Sequence, residues 1–356
     1  MFFVGRERDY NIEMLRVVSC VLVICIHVSN VYSRAYGEIS DVSYLISLIT
    51  NAFARVSVPL FFMISGYLLL KEPISLRKCI RRVLFMVTVL VIWSAVYYVW
   101  KLFYWGESYD FRLIFDEPVE KHLWFLYAIL GMYISLPFFQ CLFQKQSGRL
   151  MEYFIVLWLF FLTLNYILVL LDMDFSYPIP LVGSSCYLGY FVMGYILRCQ
   201  SGQYGLSPRL CFALSIMAAM ATVSITFLSS KQSGEHVEVY FQYRNVMIAL
   251  SSLLLFYGVM QNKSRRFTAR CKSFMRLVSR HSFTVYLSHI LFLDMVKKNC
   301  NLLVISSWIG ILLLTAGIFA ASLLFSVVLD YCSASVKKKM SGMLCYFAKL
   351  VQKKCA

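Results

Sequence analysis

Arg16 and His27 lie eleven residues apart, and the run between them, Val17-Val18-Ser19-Cys20-Val21-Leu22-Val23-Ile24-Cys25-Ile26, is almost wholly apolar. A guanidinium binds anions and an imidazole moves protons. Both are costly inside a membrane span, so a span that keeps them must turn them toward a protein interior or a water-filled cavity. On an α-helix eleven residues make about three turns plus 20°, which puts both side chains on one face, about 16 Å apart along the axis. One helix thus presents a cation near one bilayer surface and an imidazole toward the other.

Further polar residues fall inside or at the edge of apolar runs. The stretch Asn51 to Tyr67 contains Arg55, Pro59, Ser65 and Gly66. Pro59 has no N–H, so the carbonyl of Arg55 loses its helical partner and a kink is expected. Two readings fit Arg55: it faces a polar cavity beside the kink, or it snorkels to the surface. Ser65 and Gly66 fit either substrate contact or close helix packing. Glu120, His122 and Trp124 open another apolar run. The carboxylate is placed to orient or charge the imidazole, and Trp124 is either an interfacial anchor or part of a site. Arg77 and Arg81 are spaced i, i+4 with Lys78 and Arg82 beside them. Such a fork suits phosphates, although topology alone also supplies basic residues here. His289, in Ser279-Arg-His-Ser-Phe-Thr-Val-Tyr-Leu-Ser-His289, either faces the cavity or is a packing histidine.

The elements that must position these residues are membrane helices. Of 356 residues 60% are hydrophobic and 15% charged, against about 25% charged in a soluble domain. The apolar runs approach the ~20 residues a helix needs to cross the hydrocarbon core, and the weak alternation of a β-barrel is absent. We expect an all-α polytopic bundle, a single unit over residues 1–356, with about ten spans near 11–32, 48–70, 82–104, 123–143, 150–171, 185–199, 208–229, 245–261, 277–297 and 302–330. The sixth is short and carries Gly189 and Gly194.

The net charge of +16 does not call for nucleic acid, because the basic residues sit in short segments between apolar runs. Most fall on one side of the ten spans: Arg6, Arg8, Lys71, Arg77, Lys78, Arg81, Arg82, Lys145, Arg149, Arg198, Arg209, the cluster Lys263, Arg265, Arg266, Arg270, Lys272, Arg276, Arg280, and the tail Lys337, Lys338, Lys339, Lys349, Lys353, Lys354. Positive-inside bias then puts both termini in the cytoplasm, where these segments attract anionic lipids. Arg16 falls at the cytoplasmic end of its span and His27 in the outer third, level with Arg55. The twelve cysteines form no CxxC or Cys/His metal pattern, and no metal site is expected.

Taken together, Arg16-x10-His27, Arg55-Val-Ser-Val-Pro-Leu-Phe-Phe-Met-Ile-Ser-Gly-Tyr67, His122-Leu-Trp124 and Ser279-Arg-His-Ser resemble the acyltransferase-3 family of integral membrane O-acyltransferases. Within it, the chain is most similar to members that O-acetylate enterobacterial common antigen, O-antigen or capsule. The carboxylate that the family usually places three residues before the arginine as Asp is here Glu13, and the family's second histidine matches His289. The resemblance implies a multi-pass protein of the bacterial inner membrane. It would move an acyl group, usually acetyl, from cytoplasmic acetyl-CoA to a sugar hydroxyl of a lipid-linked or extracytoplasmic glycan. CoA is a polyanion and Arg16, Arg77, Arg81 and Arg82 gather at the inner face. His27 would serve as general base or acyl carrier, with Arg55 holding the acceptor or an oxyanion. The rival class is a transporter or glycolipid flippase without acyl transfer. Against it, the chain shows no inverted repeat and no intramembrane carboxylate pair.

Overall fold

The computed structural model describes residues 8–110, 112, 114, 116–144, 148–171, 173, 186–199, 205–261 and 267–354, with side chains left aside for 143, 144 and 334–354. Arg6, Lys145, Lys263, Arg265 and Arg266 lie outside the described residues, as do the side chains of Lys337, Lys338, Lys339, Lys349, Lys353 and Lys354. The chain is all-helical, 84% helix, with no strand among the described residues. Its helices are α1 Tyr10–Ser33, α2 Asp41–Ala54, α3 Ser57–Leu69, α4 Leu76–Trp100, α5 Trp124–Gln144, α6 Gly148–Leu170, α7 Cys186–Cys199, α8 Pro208–Ser233, α9 Val246–Gln261, α10 Ala269–Asn299 and α11 Ser307–Lys354.

Eight segments among the described residues are long and apolar enough to span a membrane, with α2 and α3 counted as one. α10, expected as the ninth span, is not among them, because His281, His289, Asp294, Lys297 and Lys298 add polar groups to its second half as the basic residues do to its first. α7, with only 14 residues, is an apolar helix too short to qualify. This is the expected polytopic bundle.

Local chemistry sets the boundaries. Asp9 caps α1 by accepting from the backbone N–H of Asn11, and Ser40, Ser207 and Thr268 cap α2, α8 and α10 in the same way. The expected kink in the second span is a break at Arg55–Val56. Pro59 then falls in the first turn of α3, where its missing N–H costs no helical bond. Arg77, Lys78, Arg81 and Arg82, expected in a loop, instead form the first turns of α4, because the helix starts at Leu76 rather than near residue 82.

α7 is buried along most of its length. Glycine makes this packing possible. A Cβ on Gly194 would lie 2.0 Å from the Met63 carbonyl oxygen, and one on Gly66 would lie 1.7 Å from that of Phe191. Only glycine admits such backbone approach between α3 and α7. Gly66 is therefore a packing residue. Its neighbour Ser65 is half-buried and donates to the Phe61 carbonyl at 2.8 Å. α1 packs against α2, α3, α9, α10 and α11 and runs through the middle of the bundle.

Candidate active site

α1 is unbroken from Tyr10 to Ser33, so Arg16 and His27 share a face about 16 Å apart, as their spacing requires. At the His27 level, α1, α10 and the 3₁₀ turn Lys121–Leu123 just before α5 bring three imidazoles together. The His27 and His289 ring centroids are 5.0 Å apart, and those of His122 and His289 are 5.3 Å apart. His122 and His289 are 2% and 0% exposed, whereas His27 keeps accessible surface. His289 Nδ1 meets the Tyr286 carbonyl. A carbonyl only accepts, so neutral His289 carries its proton on Nδ1 and leaves Nε2 as a lone pair. That Nε2 has no hydrogen-bond partner among the described residues. The His122 nitrogens make no hydrogen bond of good geometry there either; one comes only loosely near the Leu287 carbonyl.

Aromatic rings frame the cluster. His122 meets Tyr97 edge-on at 4.9 Å and Tyr286 at 5.7 Å. The Tyr97 hydroxyl donates to the Leu287 carbonyl at 2.7 Å, and that of Tyr286 donates to the His122 carbonyl. Trp124 is half-buried against Tyr187 (4.8 Å) and Tyr243 (5.8 Å). Its ring packs within this aromatic group. Glu120 does not orient His122. It takes Lys101 Nζ at 3.2 Å and accepts from the Lys121 N–H.

Arg55 points inward, 8% exposed, which settles its orientation against snorkelling. It closes the break between α2 and α3. Its Nε donates to Asn51 Oδ1 at 2.8 Å and its Nη2 to Glu238 at 3.3 Å. Its guanidinium lies 5.5 and 5.7 Å from the ring centroids of Phe241 and Tyr243. Asn51 in turn bonds Asn30, one turn beyond His27 on α1. Glu238, in the loop between α8 and α9, also takes Arg34 at 2.9 Å. Burial works against ionisation of Glu238, but the Arg34 and then the Arg55 guanidinium outweigh it and hold the carboxyl below its ordinary value. Asn30, Asn51, Glu238, Tyr187, Tyr243, Tyr286 and Tyr97 were not singled out from the sequence. Only the asparagines left a signal: an amide inside an apolar run, one helical turn from His27 or Arg55.

At the opposite end, Arg16 donates to Ser279 Oγ at 2.7 Å and sits 3.7 Å from Glu13. Arg82 is half-buried, and Tyr133 feels the charge of both Arg16 and Arg82. Arg77 and Arg81 are exposed on the same face of α4. Tyr67, Asp9 and Arg198 are here too. The Tyr67 hydroxyl bonds Asp9 at 2.9 Å, and Arg198 packs over its ring. Between Arg16 and His27 the shared face of α1 is filled by Cys20 and Val23, 2% and 3% exposed. Among the described residues no group of three or more His, Cys, Asp or Glu is placed to share a metal ion.

The bundle thus holds a buried imidazole cluster at one depth and a group of basic residues at the other. The acyltransferase-3 family model, an acyltransferase domain, matches residues 9–330, and the chain belongs to that family. It is a multi-pass membrane acyltransferase. No curated protein and no solved structure matches it.

Proposed function

We propose that this acyltransferase moves an acetyl group from cytoplasmic acetyl-CoA to a sugar hydroxyl of a cell-surface glycan or its lipid-linked precursor, in a bacterial inner membrane with both termini inside. The observation that carries this reading is His27. It alone of the three clustered imidazoles keeps accessible surface, and it lies on one helix with Arg16. The positive-inside bias assigns the Arg16 end to the cytoplasm. There Arg77 and Arg81 are exposed and Arg82 half-buried, and they suit the phosphates of CoA. Arg16 is already engaged by Ser279 and Glu13, so it sets the rim of the mouth as much as it binds anions.

His27 accepts the proton of the acceptor hydroxyl as the sugar oxygen attacks the thioester carbonyl. The C–S bond then breaks, and the proton returns from imidazolium to the CoA sulfur. Buried Arg55 is the donor on the acceptor side, for the hydroxyl-bearing sugar or the developing oxyanion. Trp124, Tyr187 and Tyr243 offer flat apolar faces on which a sugar ring packs. The basic segments hold anionic headgroups at the inner leaflet.

The test is transfer of label from acetyl-CoA to a membrane glycolipid extract by the purified protein. His27→Ala, still monodisperse, is expected to lose transfer. Undiminished transfer by that variant removes His27 from the chemistry. Transport of glycolipid by wild type without label transfer overturns the acyl-transfer reading.

A further inference from the structure

A polar pocket opens on the outside of the bundle, between α10 and α11, on the side of α10 away from the Arg16 site. Its volume is about 310 Å³, and it is lined by Arg280, His281, Thr284, Ser326, Asp330 and Ser333, with Leu329 at the edge. Neighbouring residues of α10 divide the work. Ser279 takes Arg16, while Arg280 pairs with Asp330 of α11. His281 is buried and its Nδ1 lies 2.9 Å from Ser326 Oγ, whereas Arg280 and Asp330 are about half exposed.

The depth of the pocket identifies its surroundings. Asp330 is 23 residues along α11 from Ser307 at its other end, about 35 Å of helix. The hydrocarbon core is ~30 Å thick, so the pocket lies at headgroup level. Leu324, Val328 and Leu329 are exposed beside it and face acyl chains. A polar pocket in that position meets water and lipid headgroups.

We propose that this pocket binds the headgroup of a zwitterionic phospholipid with a primary ammonium, phosphatidylethanolamine. The lipid phosphate takes Arg280 with the Thr284 and Ser326 hydroxyls, and its ammonium takes the Asp330 carboxylate, while the Ser333 hydroxyl stays donated to the Asp330 backbone carbonyl at 2.9 Å. One internal ion pair is thereby exchanged for two. A choline headgroup has no N–H to give Asp330, and a net-anionic headgroup meets its negative charge without compensation. The site therefore selects ethanolamine over choline and glycerol headgroups. It is distinct from the diffuse attraction of the basic segments for anionic lipid.

The experiment titrates delipidated full-length protein with phosphatidylethanolamine, phosphatidylcholine and phosphatidylglycerol of identical chains and counts bound lipids by native mass spectrometry. Wild type is expected to bind its first phosphatidylethanolamine about 10-fold more tightly than the other two, the worth of one charge-assisted contact. Asp330→Asn is expected to erase the preference over phosphatidylcholine while phosphate-dependent binding persists, and Arg280→Gln to weaken all three. Equal affinities in wild type, or a preference untouched by Asp330→Asn, overturns the proposal. If soluble phosphoethanolamine binds as tightly as the lipid, the site serves a free phosphate ester and the lipid assignment fails. A photoactivatable phosphatidylethanolamine tests the wild type without any variant. It is expected to label the α11 segment around Leu329–Ser333 and to be competed by phosphatidylethanolamine but not phosphatidylcholine; absence of that label counts against the site.

Discussion

Arg55→Lys separates geometry from charge at the acceptor side. The guanidinium is a planar fork, and here it reaches two partners at once: Asn51 at 2.8 Å through Nε and Glu238 at 3.3 Å through Nη2. An ammonium is a single point on a flexible stem and serves one of them. The variant keeps a cation beside Glu238 and loses the tie to Asn51. That tie links α2 through Asn30 to the turn of α1 beyond His27. One charge-assisted hydrogen bond in a buried setting is worth about 1.5–3 kcal/mol. If that contact holds the acceptor against His27, kcat/KM for acetyl transfer falls about 10- to 150-fold. The assay is transfer of labelled acetyl to glycolipid acceptor in detergent, with acetyl-CoA binding measured on the same preparation. Acetyl-CoA affinity is expected to hold, because Arg55 lies on the side of His27 away from Arg16. Transfer within twofold of wild type, or a parallel loss of acetyl-CoA binding in protein of unchanged thermal stability, refutes the acceptor-side role.

Four further outcomes follow from the packing and charge contacts. Gly194→Ala drives a methyl to 2.0 Å from the Met63 carbonyl oxygen, where no side chain can move away. It should cost about 1–3 kcal/mol, read as a lowered thermal midpoint. Gly131→Ala, whose Cβ meets open space, should be neutral or stabilising by about 0.5–1 kcal/mol. Glu238 has its carboxyl held below the ordinary value, so its contribution to stability is complete at neutral pH. That contribution is lost as pH falls from the ordinary carboxylate range through the lower folded value; Glu238→Gln should flatten that acid limb of a stability-versus-pH curve. Arg82→Ala should weaken acetyl-CoA binding about 10-fold, whereas Lys121→Ala at the other end of the bundle should leave it unchanged in the same isothermal titration.

The parts of the site legible in the sequence were those fixed by local periodicity. Arg16 and His27 share a face because one unbroken helix carries both, and Pro59 announces the break that turns Arg55 inward. His289 was open between packing and cavity because a single helix carries no information about what faces it; the structure sets His27 of α1 and His122 of the turn before α5 beside it. The Glu120–His122 pairing failed for a geometric reason. Residues 121–123 form a 3₁₀ turn, and successive side chains there diverge by about 120°. Glu120 therefore reaches Lys101 while His122 turns into the core. Trp124 could not be placed from its type, because an amphipathic ring suits an interface and a binding wall equally. Glu238 left no trace, since its meeting with Arg55 depends on a loop 183 residues away.

The packed seam between Arg16 and His27 bears on the donor's path. Cys20 and Val23 leave no room for a pantetheine arm along the shared face of α1. Arg16, Tyr133, Ser65, Phe61 and Trp124 all keep accessible surface, and Phe61 and Trp124 each touch Phe125. These residues belong to α1, α3 and α5, so the accessible surface between the Arg16 end and the His27 level lies on α3 and α5 as well as on α1. The eleven-residue spacing thus sets the depth difference between the Arg16 guanidinium and the His27 imidazole. Backbone contact through Gly66 and Gly194 fixes one side of α3 against α7, and the opposite side carries Phe61 and Ser65, which keep accessible surface.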